Sequence, residues 1–163
     1  MTARLAWVGL GGNVGDVSAC FASALARLAA TQGVDVVRVS RRYRTPAWGV
    51  TDQPDFINAV AELATTLAPL ALLDVLQATE RAHGRDRARE QRWGPRTLDL
   101  DLLAMEGEVL DTPALQLPHP RAVERAFVLV PWSEIAPGLD LPGLGRVDAL
   151  AAALDRSGIE ALP

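Results

Sequence analysis

The sequence predicts an α+β sandwich, a single antiparallel sheet with helices packed on one face. Three observations carry this. The apolar pattern alternates between a period of two and a helical period in the order strand, helix, strand, strand, helix, strand. The second and third strands follow one another with no helix between them, whereas a parallel pair would need a long crossover. At 163 residues and 49% hydrophobic content the chain supports one core, so a single domain spanning 1–163 is expected. Together these match the ferredoxin-like arrangement.

The elements follow in order. Leu5 to Leu10 is a short apolar run stopped by Gly11-Gly12-Asn13, which reads as a buried strand ending in a glycine turn. Asp16 precedes the stripe Val17, Phe21, Ala24, Leu25 and Leu28, a helix with an acidic start that Gly33 closes. Cys20 lies on that stripe as core filler. Val34 to Tyr43 is β-branched with arginines at alternate positions such as Arg38 and Arg42, giving one wet face, and Phe56 to Leu63 alternates again, so both read as strands. The connection Thr45 to Pro54 between them is long enough to suggest a functional loop. Pro69 opens a helix running to about His83, with Gly84 as its C-terminal stop. Thr97 to Met105 is a strand of clear period two. Pro118 to Trp132 holds a helical turn and then a strand-like run, Phe127 to Val130. Val147 to Leu154 is a last amphipathic helix.

Charge is distributed unusually. All 16 basic residues are arginine and the chain has no lysine, which excludes a Walker A phosphate loop, a Schiff base and a lysine general base. The net charge of −4 argues against a broad grip on nucleic acid. The single cysteine cannot form an internal disulfide, and no run approaches the roughly 18 apolar residues of a membrane span. A soluble, cytoplasmic monomer is expected, with no nucleic-acid or membrane partner.

Chemistry concentrates in Arg92-Trp93-Gly94-Pro95-Arg96-Thr97-Leu98-Asp99-Leu100-Asp101-Leu102. In a strand, Asp99 and Asp101 share one face while Leu98, Leu100 and Leu102 take the other. Two carboxylates about 7 Å apart repel each other unless a cation sits between them, and hard oxygen ligands suit Mg²⁺ carried in with substrate phosphates. The bland alternative is a solvated strand face, although aspartate is unfavourable in strands. Just upstream, Arg81, Arg85, Arg87, Arg89, Arg92 and Arg96 place six arginines within sixteen positions. Guanidinium forks match phosphate oxygens, so the arginines and the aspartates together suggest a polyphosphate–Mg²⁺ substrate. Phe56 and Asn58 share a strand face, and an aromatic beside an amide can stack a flat heterocycle and read its edge; Phe56 in the core and Asn58 at a strand end is the plainer reading. Gln77 and Glu80 share a helix face. His119 neighbours Arg121 and Arg125, which favours a phosphate contact.

Two other readings compete. Gly9-Leu10-Gly11-Gly12-Asn13-Val14-Gly15 resembles a dinucleotide fingerprint, but Val14 occupies a required glycine position. A single-strand RNA-binding sheet would show aromatics on neighbouring strands, whereas the few aromatics here fall mostly in loops and at strand ends.

Gly11-Gly12-Asn13, Tyr43-Arg44-Thr45-Pro46, Asp52 through Asn58, Arg92 through Asp101 and Pro118-His119-Pro120-Arg121 resemble, in order, the 6-hydroxymethyl-7,8-dihydropterin pyrophosphokinases of folate biosynthesis. The resemblance spans about residues 5 to 140. It implies a ferredoxin-like fold, two Mg²⁺ ions, and transfer of pyrophosphate from ATP to the pterin hydroxymethyl oxygen with release of AMP. Carried over by position, it implies Asp99 and Asp101 as ligands of both metals. For ATP it implies Gln77, Glu80, Arg85, Arg87, Trp93, Arg96, Leu102, His119 and Arg125, with Arg87, Arg96 and Asp101 catalytic. For the pterin it implies Thr45, Pro46, Trp48, Phe56, Asn58 and Phe127, the two phenylalanines sandwiching the ring. Loops 13–16, 47–54 and 85–96 would be the moving lids. The chain departs from the family pattern in two places. Arg89 stands near where a lysine is frequent, and Pro120 stands where an aromatic is frequent.

Overall fold

The computed structural model describes residues 2–46, 52–84 and 97–163. Strand β1 (Arg4–Gly12), helix α1 (Val17–Ala29), strands β2 (Val34–Val39), β3 (Tyr43–Thr45) and β4 (Phe56–Thr65), helix α2 (Pro69–Ala82) and strand β5 (Asp99–Met105) come in the expected order. β1 is central, flanked by β4 and β5, and β4 carries both β2 and β3 on its far side. All of these pairings are antiparallel. Asp16 caps α1 as the sequence suggests, its Oδ1 accepting the Ala19 N–H at 3.0 Å. Gly84 follows α2 with φ +85°, the left-handed conformation that a helix stop favours.

The run 34–43 forms two strands rather than one. At the break Ser40 donates its backbone N–H to the Val60 carbonyl at 2.9 Å, while its hydroxyl accepts the Val60 N–H at 3.0 Å. A side-chain acceptor thus replaces a backbone one at that rung, and the regular ladder is interrupted between Val39 and Tyr43.

Period two decides the two faces of the sheet. Ala6, Val8, Leu10, Ala59, Ala61, Leu63, Leu98, Leu100 and Leu102 face α1 and α2 and pack on Phe21, Leu28, Leu72 and Leu76. Each of these fully buried leucines contributes about 2 kcal/mol relative to exposure. Cys20 is half-buried at the margin of this core, and burial pushes its thiol pKa up, in keeping with a packing role.

The second face differs from expectation: it also carries helices. Trp7, Val60 and Leu103 project from it into a second core with helix α3 (Ala126–Ile135) and helix α4 (Val147–Ala152). The stretch Phe127 to Val130, expected as a strand, is the start of α3. Val128, Leu129, Val130, Pro131 and Trp132 are all buried, and a segment apolar on every side carries no period to separate helix from strand. A 3₁₀ turn, Ala122–Glu124, leads into α3. Small hairpins β6 (Leu110–Asp111) with β7 (Gln116–Leu117), and β8 (Asp140–Leu141) with β9 (Gly145–Arg146), fill the connections. A last strand, β10 (Glu160–Ala161), pairs with β3 at the sheet edge. Among the described residues no helix is long and apolar enough to cross a membrane.

Candidate active site

α3 and α4 cover only part of the second sheet face. The uncovered part is where the chemistry-bearing side chains of β4 and β5 come out. Leu98, Leu100 and Leu102 are buried on the α1/α2 side, which turns Asp99 and Asp101 onto the open face. Strand register then sets their neighbours. Asn58 pairs with Gly11, and Gly11 in turn pairs with Asp99, so the three form one row across β4, β1 and β5. Gly9 lies opposite Asp101 in the next row. The carboxylates and the amide therefore surround two positions on β1 that have no side chain.

The open face forms a cavity of about 610 Å³. Its walls include Thr45 and Pro46 from β3 and its end, Phe56 and Asn58 from β4, Gly9 and Gly11 from β1, and Phe127 from the start of α3. A flat ring fits such a lining, with aromatics from sheet and helix for its faces and Thr45 and Asn58 for its polar edge. A second cavity of about 590 Å³ lies beyond β5 and is lined by Gln77, Leu102, Thr112, Gln116, His119 and Pro120 among others. The two linings share Asp99, Asp101, Arg121 and Arg125. Two carboxylates and two guanidiniums thus stand where an occupant of one cavity would meet an occupant of the other.

Asp99 and Asp101 could hold a hard divalent cation, since they offer carboxylate oxygens over backbone that lacks side chains. Among the described residues no cluster of three or more His, Cys, Asp or Glu forms a closed metal cage. A cation here would need further oxygens from a substrate, which is how Mg²⁺ usually accompanies phosphates.

The surroundings of His119 disfavour its charged form. Its Nδ1 accepts the Arg121 N–H at 3.2 Å. Burial, and then the charge of Arg125, hold its pKa below the ordinary 6.5, with Asp99 pulling the other way. A neutral ring that accepts at Nδ1 carries its proton on Nε2, leaving an N–H to donate into the second cavity. Arg125 also lies over the Phe127 ring, 5.8 Å from its centroid, so one side chain links the two cavities.

Of the residues expected from sequence, Thr45, Pro46, Phe56, Asn58 and Phe127 line the first cavity, and Gln77, Leu102 and His119 the second. Asp99, Asp101 and Arg125 line both. Glu80 lines neither. It is 2% exposed and its Oε2 accepts the Leu100 N–H at 2.8 Å, beneath β5. Trp48, Arg85, Arg87, Arg89, Trp93 and Arg96 lie outside the described residues, as do 47–51 of the second expected lid and all of the third. In the first lid, Asn13 is buried and donates to Gln53 Oε1 and the Pro54 carbonyl, both at 2.9 Å, tying the turn after β1 to the approach to β4.

Sequence reasoning did not name Gly9 and Gly11 as site residues, reading the glycines as a strand stop, a decoy fingerprint and, for Gly11, part of a motif that carries the family resemblance. Their signal is visible in retrospect: glycines are unfavourable inside a strand unless something approaches closely. A Cβ on Gly11 would lie 2.9 Å from Asn58 Oδ1. Gly11→Ala is therefore expected to leave the fold intact but displace the Asn58 amide, raising KM for the ring substrate about tenfold. Steady-state kinetics with each substrate varied in turn will show it; an unchanged KM would mean that Asn58 does not read the ring.

The model of the 7,8-dihydro-6-hydroxymethylpterin-pyrophosphokinase (HPPK) family matches residues 7–137. The 2-amino-4-hydroxy-6-hydroxymethyldihydropteridine pyrophosphokinase of Methylorubrum extorquens is 52% identical over 155 residues, covering 95% of this chain and 96% of that one. The Pseudomonas aeruginosa protein of the same name is 45% identical over 157 residues and 96% of each chain. The Bacillus subtilis one is 39% identical over 156 residues, 96% of this chain and 89% of that one. Among solved structures, Plasmodium falciparum HPPK-DHPS with pteroate superposes with a TM-score of 0.73 over 92% of this chain. At 12% identity that likeness concerns the fold, and this chain spans 42% of that longer one. A family match over most of the chain, with relatives this similar along nearly their whole length, leads to one conclusion: the chain belongs to the 7,8-dihydro-6-hydroxymethylpterin-pyrophosphokinase family.

Proposed function

We propose that the chain transfers pyrophosphate from ATP to the hydroxymethyl oxygen of 6-hydroxymethyl-7,8-dihydropterin, releasing AMP, as a step of folate biosynthesis. The observation that carries this is the pair of cavities meeting at Asp99, Asp101, Arg121 and Arg125. The cavity lined by Phe56, Phe127, Thr45 and Asn58 takes the pterin, and the cavity lined by Gln77, Leu102 and His119 takes ATP. The pterin hydroxymethyl group and the ATP phosphates then meet at the shared residues.

The hydroxymethyl oxygen attacks the β-phosphorus in line. A new oxygen–phosphorus bond forms, the bond from the bridging oxygen to the β-phosphorus breaks, AMP leaves with that oxygen, and the hydroxyl proton goes to water. Such a transfer asks little covalent chemistry of the protein, so catalysis rests on positioning and charge neutralisation. Phe56 and Phe127 hold the ring faces and Asn58 its edge, which aims the hydroxymethyl group at the junction. His119 donates from Nε2 to a phosphate oxygen. Arg121 and Arg125 offset charge from the protein side, and Arg85, Arg87 and Arg96 do so from the 85–96 segment. Asp99 and Asp101 would hold two Mg²⁺ ions together with phosphate oxygens. When bound, Mg²⁺ neutralises the phosphates and polarises the reacting centre.

The direct test is incubation with ATP, Mg²⁺ and the reduced pterin, followed by separation of nucleotides. AMP is the expected product, and ADP in its place would overturn pyrophosphate transfer. Arg87→Ala is expected to lower kcat by about a hundredfold while weakening ground-state ATP binding only a few-fold, because a charge placed for the transition state acts there most. Equal losses in kcat and in ATP affinity would make Arg87 a binding residue only.

A further inference from the structure

Residues 155–161 lie beyond the stretch matched by the family model, yet Asp155, Ser157 and Ile159 line the first cavity together with Thr45, Pro46 and Phe127. The segment is fastened to the sheet. Glu160 and Ala161 pair with Arg44 and Tyr43, directly ahead of Thr45. The Leu162 N–H donates to the Arg42 carbonyl at 2.8 Å, and Arg42 Nη2 donates to the Pro163 carbonyl at 3.0 Å. Gly158, with φ +83°, packs beside the Pro46 ring, where a Cβ would make ordinary contact at 3.5 Å from Pro46 Cδ. Asp155 Oδ1 accepts both the Ser157 N–H, at 2.9 Å, and the Ser157 hydroxyl. Those bonds tie Oδ1 to the strap itself, and the rest of this exposed carboxylate, Oδ2 included, is open to accept from a ligand.

We propose that this C-terminal strap is a wall of the pterin subsite, in which Ile159 covers the apolar body of the ring and Asp155 accepts a hydrogen bond from one of its N–H groups. The proposal rests on the pterin reading of the first cavity and adds two residues that set its selectivity. The physical case is preorganisation. The β10 pairing and the Arg42 contacts have already ordered the strap, so contact with the ring costs little further entropy. A carboxylate at the wall favours a ring rich in N–H donors over an isostere that lacks them.

The test uses the full-length chain with Ile159→Ala, Asp155→Asn and, as a control one residue along and outside the cavity lining, Glu160→Ala. Isothermal titration calorimetry measures binding of 6-hydroxymethyl-7,8-dihydropterin and, separately, of a non-hydrolysable ATP analogue with Mg²⁺; thermal melts check folding. Pterin affinity is expected to fall about fivefold to tenfold in the Ile159 and Asp155 variants, the loss of part of one half-buried apolar contact or of one hydrogen bond. ATP-analogue affinity and melting stay put, and Glu160→Ala changes neither affinity. Unchanged pterin affinity in both wall variants overturns the proposal. So does a parallel loss of both affinities with a lower melting point, which would mark a structural role. AMP formation by the wild type is scored separately. A wild type that makes no AMP, but whose pterin affinity falls in the wall variants, overturns the reaction and supports the wall. A wild type that binds no pterin overturns both.

Discussion

Asp101→Ala is expected to lower AMP formation about a thousandfold or more, and Asp99→Ala nearly as much, with the domain still folded. The two carboxylates line both cavities, so their removal strikes the proposed meeting place of the two substrates. Stability should hold because β5 is secured by Leu98, Leu100 and Leu102 on its other face, all of them buried. The aspartates are only half-buried, and aspartate is unfavourable in a strand to begin with. The melting midpoint should therefore move by less than about 5 °C. Measurement at saturating ATP and across a Mg²⁺ titration separates weakened metal affinity, which excess Mg²⁺ partly restores, from loss of the reaction. Near-normal kinetics in either variant would sink the assignment of the metal to these residues.

The second large effect is expected at Glu80, where stability and activity should fall together. β5 ends the sheet path, so the Leu100 N–H points off the edge, and the Glu80 carboxylate accepts it at 2.8 Å from α2. Leu100 lies between Asp99 and Asp101, so this bond pins the backbone that carries both carboxylates. Glu80→Ala removes a charge-assisted hydrogen bond and leaves a buried N–H without its acceptor, a loss of about 3 kcal/mol. A drop in kcat of about tenfold to a hundredfold should accompany it, because misplacement of a reacting group by an ångström is worth that much. Glu80→Gln keeps an oxygen for Leu100 and should recover most of the stability in urea unfolding. If instead Glu80→Gln raises KM for ATP and Glu80→Ala leaves stability untouched, Glu80 contacts the nucleotide as the family resemblance implied.

Much of this site could be read from the chain because the relevant patterns are local. Period two between residues 98 and 102 is enough to place both aspartates on one face and the leucines on the other, whatever the strand pairs with. The same holds for Phe56 with Asn58, and for Pro69 and Gly84 as the bounds of α2. Other features had no local signal. The segment 127–130 could not be assigned between helix and strand because it is apolar on all sides. Glu80 and Gln77 share a helix face in sequence, yet α2 turns one under β5 and the other into a cavity, since only contact with the sheet settles which half of that face is dry.

Local alternation, composition and motif spacing, by themselves, determined the alternation of strands and helices from β1 to β5, the antiparallel α+β class, the aspartate pair and, through the absence of lysine, arginine as the chain's only strongly basic side chain. Tertiary structure alone decided which residues from distant segments meet. The row Asn58–Gly11–Asp99 exists only through the register of three strands, and the strap at Asp155 and Ile159 reaches the cavity only through the pairing of β10 with β3. The physical reason is that strand periodicity is fixed by bond geometry within a few residues. Register and coverage are fixed by the burial of side chains far apart in the chain, which no short window of sequence contains.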